Sequence, residues 1–398
     1  MSSLSSRSPL SGQTAIIGIG QTPFTRGTEL TTLGLHLEAA HEAIADAGLT
    51  PADIDGVMPN ELAGTVAEDF ILELGVPNLA FSSTIRTGGA SFVSAIQSAA
   101  LAVAGGVANH VLLVAGRRGY SAQRVSKTSE GAIAPHPVMR QIDEFERPFG
   151  NTVAAQWFAQ AARRHMHEYG TTSEDFGHVA VAVRGHANKN PRALMYEKTM
   201  TLEQHQASPF IADPLRLFDC SLETDGATAI VISRADRAKD AKKPGIPILG
   251  VGEGHGDPPT SITQKRDLTR IEGLERAAER AYAMAGLGPE AIDCAQLYDG
   301  FTWIVLASLE ACGFCAPGEG GGFVRDGRIA LGGALPVNTS GGLLSEGHCS
   351  GANLVSEAVR QLRGEVEPDR QVAGCERILV TGEGDFHEGA ALILGATE

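Results

Sequence analysis

One stretch of this sequence occurs twice. The segment AIADAGLTPADIDGV (43–57) matches AYAMAGLGPEAIDCA (281–295) in register, with the same Ala-Gly-Leu, Pro and Ile-Asp positions. Each copy predicts an alanine-rich helix that ends at a glycine, followed by a proline-led turn and the start of a strand. A chain that repeats such a unit is expected to fold as two similar halves, and this constrains its architecture more than any other feature.

The repeat continues on both sides of this unit. Gly88-Gly89, a helix and the strand HVLLVAG (110–116) correspond to Gly341-Gly342, a helix and RILVTGEG (377–384). Each half also opens with a glycine-punctuated apolar strand, TAIIGIGQ (14–21) or IPILGVGEG (246–254). We therefore predict a duplicated α/β fold in which parallel strands alternate with helices. The halves cover residues 13–238 and 245–398, joined by the charged linker SRADRAKDAKKPG (233–245).

A stretch within the first half, at about 117–215, has no counterpart in the second. Its residues are rich in His, Arg, Met and aromatic types with helical spacing, as in ERPFGNTVAAQWFAQAARRHMHEYG (146–170). We predict an inserted helical loop domain that shapes a substrate pocket or an interface. Trp157, Phe158, Tyr169 and Tyr196 are candidates for apolar walls of that pocket.

Charge and composition exclude several classes of function. The net charge of −15 argues against nucleic acid binding, which depends on clustered Lys and Arg. The polar N-terminal stretch and the lack of long apolar runs predict neither a signal peptide nor a membrane span. The six scattered cysteines are expected to stay reduced, so we predict a cytoplasmic protein. CGFC (312–315) lacks a second cysteine pair, and no metal site is predicted.

Two glycine-flanked segments of the first and second halves are candidate sites. The turn Gly88–Ser91 precedes a small-residue helix, where free N–H groups stabilise an anion or lower the pKa of a thiol, yet it carries no strong nucleophile. In QLYDGFT (296–302), Tyr298 is a candidate proton donor or acceptor, and Asp299 is a candidate cap of the following helix. The alternative is that both residues are purely structural.

Two further loops carry titratable residues. In NTSGGLLSEGHCSGAN (338–353), His348 is a candidate acid–base group, and Cys349 is a candidate nucleophile or ligand. In VTGEGDFHEGAALIL (380–394), Glu383, Asp385 and His387 match no metal signature, so they tune a site or face water.

These motifs, in the order LYDGFT, GFC, GEGG, LPVNTSGGLLSEGHCSG and VTGEG, resemble the thiolase superfamily and, within it, the sterol-carrier-protein-x-type branch. IGIGQTPF and DGATAIVIS extend the resemblance over nearly the whole chain. It implies a five-layered α/β/α/β/α sandwich, a homodimer, and coenzyme A thioester substrates with no permanently bound cofactor. The residues implied to contact the coenzyme A part are Gly89, Ser91, Gly341, Gly342, Ser345 and Gly347.

The departures from the family pattern point to a different reaction. Gly89 stands where thiolases carry the acyl-accepting Cys, so the turn is expected to leave room for substrate. Tyr298 stands in the place of a His, whereas the family's GH histidine is kept as His348. Without a covalent thioester, a retro-aldol reaction fits better than acyl transfer. Tyr298 would take a proton from a β-hydroxyl group, and His348 with loop N–H groups would stabilise the enolate.

Members of this branch that lack the cysteine include steroid side-chain aldolases, which share a Tyr in a YDGF-like segment. They work with a small OB-fold, zinc-ribbon protein, which implies a heterotetramer here. The predicted function is retro-aldol cleavage of a bulky β-hydroxyacyl-CoA. Two alternatives stay open at this point: acyl transfer with an unusual nucleophile such as Cys349, and a non-catalytic subunit of the same fold.

Overall fold

The computed structural model describes residues 8–60, 64–122, 144–238, 241–256, 265–384 and 388–397. Its strands are β1 (Thr14–Gln21), β2 (Gly56–Pro59), β3 (Phe81–Ser82), β4 (His110–Arg118), β5 (Phe210–Ala212), β6 (Leu215–Arg216), β7 (Asp225–Arg234), β8 (Ile246–His255), β9 (Cys294–Gln296), β10 (Arg377–Glu383) and β11 (Glu388–Gly395). Its α-helices are α1 (Thr32–Asp46), α2 (Ala67–Leu74), α3 (Ser91–Ala104), α4 (Ala154–Tyr169), α5 (Ser173–Ala187), α6 (Leu202–Ala207), α7 (Glu272–Ala285), α8 (Thr302–Ala311), α9 (Gly320–Phe323) and α10 (Ala352–Arg363). Across these ranges, no helix combines the length and apolar character needed to cross a membrane.

The sheet shows the duplication directly. Nine strands are hydrogen-bonded in the order β3-β2-β4-β7-β1-β8-β11-β10-β9. From β2 and from β9 inwards the two halves have the same pairing: a parallel pair (β2 with β4, β9 with β10) followed by two antiparallel pairs, and β3 is added outside β2. The halves meet at β1 and β8, where only Ala15–Pro247 and Ile16–Ile246 are paired. The predicted doubling of the fold is therefore confirmed.

The prediction that parallel strands alternate with helices holds for part of the sheet only. Besides the parallel pairs just named, only β2 with β3 runs parallel among the named strands, and the remaining pairs are antiparallel. Too few residues separate Glu383 of β10 from Glu388 of β11 for a crossover helix, which a parallel connection requires. These two strands therefore form a hairpin.

The repeated segment folds as predicted in both halves. Past the end of α1, Gly48 has φ of 75°, and α7 ends at Gly286 with φ of 67°. Such left-handed conformations favour glycine, which stops each helix. A 3₁₀ turn, Pro51–Asp53 or Pro289–Ala291, then leads towards β2 or β9.

Three apolar clusters define the layers. The first packs α1 and α2 on the outer face of the first-half strands, and the third packs α7 and α8 on the outer face of the second-half strands. The cluster between them holds α3 and α10 against strands of both halves. Successive residues of a strand face opposite sides, so Ala115 of β4 faces the middle layer and Val114 the outer one. This α/β/α/β/α arrangement confirms the predicted fold class.

Of the predicted insertion (about 117–215), residues 117–122 and 144–215 are described: they include the end of β4, then α4, α5, α6 and β5, with β6 at the boundary. Trp157 and Phe158 of α4 belong to the same buried cluster as Trp303 of α8. The Phe158 ring lies 4.8 Å from that of Phe301, centroid to centroid. The insertion thus packs on the second half, beside the segment that carries Tyr298.

Candidate active site

The position of Tyr298 is fixed through its backbone. The Asn338 side chain accepts a hydrogen bond from Leu297 N (2.7 Å) and donates one to Leu297 O (2.8 Å). Tyr298 N donates to Thr381 Oγ1 of β10 at 3.0 Å. The link between β9 and α8 is therefore held on two sides, and the Tyr298 side chain extends from it into a largely buried position, with 9% of the residue exposed.

The Tyr298 hydroxyl meets the imidazole of His348. Tyr298 Oη lies 3.4 Å from His348 Nε2, and the two rings meet edge-on with centroids 6.3 Å apart. The other ring nitrogen, Nδ1, lies 3.2 Å from Ser221 Oγ, and His348 N donates to Thr224 Oγ1 at 2.9 Å. The structure thus joins two residues that the sequence marked separately, and it adds a serine that orients the imidazole.

The surroundings of His348 favour its neutral form. Burial lowers the pKa of this histidine well below its ordinary value, and the nearby Arg117 guanidinium lowers it further. A neutral imidazole whose Nδ1–H faces Ser221 presents a lone pair on Nε2. That lone pair can accept the proton of Tyr298.

The Gly88–Ala90 turn lies against Tyr298. A Cβ atom built on Gly89 would overlap Cζ and Oη of Tyr298 and the carbonyl oxygen of Glu383. The expectation that this turn leaves room for substrate is therefore wrong at Gly89, because the tyrosine itself fills the space. Tyr298 can reach His348 only while residue 89 has no side chain.

Ser91, at the start of α3, holds the turn together. Its hydroxyl donates to Gly88 O at 2.7 Å and accepts from Thr87 N at 3.0 Å. Because the residue is buried and both of these bonds are local, its evident role is to shape the turn that lies beside Tyr298. A contact with coenzyme A stays a prediction.

Asp299 caps a different helix from the predicted one. Its carboxylate accepts from Leu343 N (2.8 Å) and Leu344 N (3.2 Å), so it caps the π-helical turn Gly342–Glu346. The predicted cap on α8 is wrong, since Phe301 occupies that N-cap position without a side-chain bond. Burial raises the Asp299 pKa to about 7, although the two N–H groups oppose the shift. Asp299 thus positions the loop that leads to His348.

The glycines of that loop are required by close packing. A Cβ on Gly342 would overlap the Asp299 carboxylate, and one on Gly347 would overlap the Phe24 ring. Gly341 has φ of 104° and lies against Ala187. These contacts explain the glycines without a ligand, and their role in binding coenzyme A stays a prediction.

Ser345 of the same loop is also engaged within the protein. It is buried, and its Oγ accepts a hydrogen bond from Arg184 Nε of α5 at 2.9 Å. This bond ties the loop to the insertion, so the hydroxyl's evident role is structural. Binding of coenzyme A by Ser345 stays a prediction as well.

Cys349 does not fit the role of a nucleophile. Its thiol is buried, donates to Ala115 O at 3.0 Å, and faces the central apolar cluster. Burial raises the Cys349 pKa to about 12, which leaves almost no thiolate at neutral pH. Acyl transfer through this residue is therefore disfavoured.

Cys349 is accordingly expected to resist alkylation in the folded protein. Iodoacetamide at pH 7.5 should label the partly exposed Cys375 first and leave Cys349 unmodified. Peptide mass mapping of native and denatured samples distinguishes the two thiols. Rapid native labelling of Cys349 would contradict the burial argument.

The remaining sequence candidates are not joined to this pair by any hydrogen bond described here. Cys312 is buried and Cys315 partly exposed, and burial raises the pKa of Cys315 to about 12. Asp385 and His387 lie outside the described residues. In the described ranges, no group of three or more His, Cys, Asp or Glu residues has the geometry of a metal site.

Several residues of the site were missed in the sequence. Ser221 and Thr224 lie in SLETDG, just before β7, and Asn338 opens the glycine-rich loop. A polar residue beside a strand end is common, so nothing local marked them. Asn338 has φ of 53°, which Asn tolerates better than most residues, and its place before Gly341-Gly342 was the only available hint.

Comparison with known proteins agrees with this geometry. Residues 14–236 match the family model "Thiolase, N-terminal domain", and residues 254–396 match "Thiolase C-terminal domain-like". A solved structure described as an "Ltp2-ChsH2(DUF35) aldolase" is similar with a TM-score of 0.91 and 39% identity, covering 98% of this chain and 99% of that one.

Two curated proteins are similar along their whole length. The "Steroid side-chain-cleaving aldolase" of Thermomonospora curvata is 40% identical, covering 98% of this chain and 99% of its own. The "17-hydroxy-3-oxo-4-pregnene-20-carboxyl-CoA lyase" of Mycobacterium tuberculosis is 41% identical, covering 97% and 100%. From its two matched domains and these relatives, the chain belongs to the thiolase family.

Proposed function

We propose that this protein is a carbon–carbon lyase that cleaves β-hydroxyacyl-CoA thioesters by a retro-aldol reaction. One observation carries the proposal: Tyr298 fills the space at Gly89, where thiolases carry the acyl-accepting cysteine, and reaches His348 there. A tyrosine–histidine pair can move protons, but it offers no thiol to form the acyl thioester on which a thiolase depends. The sequence-based prediction of a retro-aldol lyase agrees with the names of both relatives.

The proton moves through the pair in two directions. Tyr298 Oη takes the proton of the β-hydroxyl while its own proton passes to His348 Nε2. The Cα–Cβ bond breaks, the β-carbon leaves as a ketone, and the bonding electrons form the enolate of the shortened acyl-CoA. The proton then returns from His348 through Tyr298 to Cα, so the enzyme ends in its starting state.

The enolate needs stabilisation at the thioester oxygen. The N-terminus of α3 follows the Gly88–Ala90 turn, which lies beside Tyr298, and it places the positive end of a helix dipole there. We assign to this turn the role of anion stabilisation. The thiol that relatives place there is not needed for it.

The substrate we propose is the CoA thioester of a steroid side chain with a tertiary β-hydroxyl. This follows from the names of the two curated relatives. The loops that contact coenzyme A in this proposal carry Gly89, Ser91, Gly341, Gly342, Ser345 and Gly347.

We further propose a homodimer that binds a partner of the DUF35 kind, forming a heterotetramer. The similar solved structure is described as a complex with such a protein. For the homodimer, β3 ends the sheet and pairs only with β2 among the described strands, which leaves its outer edge available to a second copy. In this proposal the acyl pocket lies beside Trp157 and Phe158, the buried aromatic residues of the insertion.

The test is a product analysis. The purified protein, with and without its DUF35 partner, is incubated with 17-hydroxy-3-oxo-4-pregnene-20-carboxyl-CoA, the compound in a relative's name. We expect a 17-ketosteroid and propionyl-CoA in equal amounts, without added free coenzyme A. A second reaction offers a β-ketoacyl-CoA with free coenzyme A, and we expect no thiolysis.

The two reactions separate the alternatives. Thiolysis without retro-aldol cleavage would mean a thiolase whose nucleophile is not among the residues described here. Turnover of neither substrate, with or without the partner, together with failure to bind coenzyme A in a calorimetric titration, would identify a non-catalytic subunit.

A further inference from the structure

Arg117 lies near the end of β4 on the side that faces the active site. Ala115, two residues earlier on the same face, accepts the hydrogen bond of Cys349, the neighbour of His348. A Cβ on Gly119 would meet Arg117 Nε at 2.5 Å and Thr224 O at 2.7 Å, so the guanidinium lies beside the backbone of Thr224. Thr224 is the residue whose hydroxyl accepts from His348 N.

The charge of Arg117 is not cancelled within the described part of the chain. Its Nε is buried without a hydrogen-bond partner there, and no carboxylate in those ranges forms an ion pair with it. An arginine without a counter-ion in a half-buried position exerts its field on whatever lies next to it. Here the guanidinium lies beside Thr224, which is hydrogen-bonded to His348, and its charge acts on the imidazole of His348.

Tyr298 lies at Nε2 of this imidazole, and the charge of Arg117 acts on the ring from the side of Thr224. The Cys349 thiol faces Ala115 instead. The Glu346 carboxylate accepts from Ser340 and Asn353, away from the ring. Among the described residues no carboxylate is hydrogen-bonded to the imidazole, so a positive charge on His348 would be repelled by Arg117 without a compensating negative charge at the ring.

We propose that Arg117 is a positioning residue of the acid–base pair, whose positive charge adds to the effect of burial in keeping His348 neutral, so that the shared proton rests on Tyr298 between turnovers. This inference rests on the proposed function for its catalytic meaning. The charge of Arg117 explains why His348 Nε2 is unprotonated, and so able to accept a proton, when a turnover begins. It also explains why the proton does not remain on the imidazole, since the same charge drives it back towards the enolate.

The experiment compares three variants with the wild type. Arg117→Gln removes the charge, Arg117→Lys keeps it, and Arg118→Gln removes the charge of the next residue, which points the other way and donates to Thr28 O at 3.3 Å. Histidine ¹⁵N resonances are followed from pH 4 to pH 8. The resonances of His348 are assigned as those that disappear in the His348→Gln variant. If Arg117→Gln loses the near-UV circular dichroism signal of a folded protein, Arg117→Met is used in its place.

Removal of a nearby positive charge favours the protonated imidazole. In Arg117→Gln we expect the His348 midpoint to rise by roughly one pH unit, with the acidic limb of kcat/KM moving up by the same amount. Arg117→Lys and Arg118→Gln should stay near the wild-type midpoint. An unchanged His348 midpoint in a folded Arg117→Gln protein overturns the proposal. Because the titration needs no substrate, failure of the wild type to cleave acyl-CoA would instead reject the proposed function.

Discussion

Tyr298→Phe is expected to lower kcat for carbon–carbon cleavage by roughly 10²- to 10⁴-fold while KM changes only slightly. The substitution removes one oxygen atom, the one that lies 3.4 Å from His348 Nε2. The ring still fills the space beside Gly89, so substrate binding and the fold are preserved. Steady-state kinetics on the β-hydroxyacyl-CoA substrate measure both constants.

Tyr282→Phe is the matched control. This tyrosine belongs to the same half and donates its hydroxyl to Cys312 O at 3.1 Å, away from the site. It should keep most of the wild-type kcat, although it loses a hydrogen bond of comparable strength. If Tyr298→Phe retained a similar share of activity, the role of Tyr298 in proton transfer would be lost, and His348 would have to act on the substrate directly.

Gly89→Ala is expected to inactivate the enzyme by at least roughly 10²-fold, although it adds a single methyl group. That methyl would overlap the Tyr298 hydroxyl and the Glu383 carbonyl, and only the tyrosine can swing away. Moving Tyr298 breaks its contact with His348. The overpacking should also lower the free energy of unfolding by about 1–3 kcal/mol, which thermal denaturation can follow.

Gly185→Ala provides the control for the glycine effect. A Cβ there meets nothing within 4 Å, and the residue is exposed in the last turn of α5. The replacement should raise the free energy of unfolding by about 0.5–1 kcal/mol and leave turnover unchanged. Wild-type activity in Gly89→Ala would mean that Tyr298 does not need its present position, and the argument from that contact would fail.

The fold was largely readable from the sequence because its strongest signals are local. The repeated helix, glycine and proline turn depend on residues a few positions apart, and both copies fold as predicted. The general prediction of parallel strands was too broad, because the alternation of helices and strands suggested crossovers in every part of the sheet. The short link from Glu383 to Glu388 carried the information that the strands form a hairpin.

The site was only partly readable, because its contacts join distant segments. Tyr298 and His348 each stand in a recognisable motif, but their contact depends on how the loop after residue 338 folds back. Asp299 looked like the cap of the helix beside it, whereas its partners lie more than forty residues later in the chain. Ser221 and Arg117 come from the other half, and no spacing rule connects them to His348.

The exclusion between Gly89 and Tyr298 also restricts the routes by which such a chain could have changed its chemistry. A cysteine at position 89 and a tyrosine at 298 in this pose cannot coexist, since even a Cβ at 89 has no room. An ancestor with the thiol must have given it up before, or together with, gaining the tyrosine. The intermediate with glycine at 89 and a smaller residue at 298 would have had neither the acyl acceptor nor the phenol. A return to the thiol chemistry by one replacement at a time would pass through the same intermediate. Stepwise change between the two chemistries therefore includes an inactive protein.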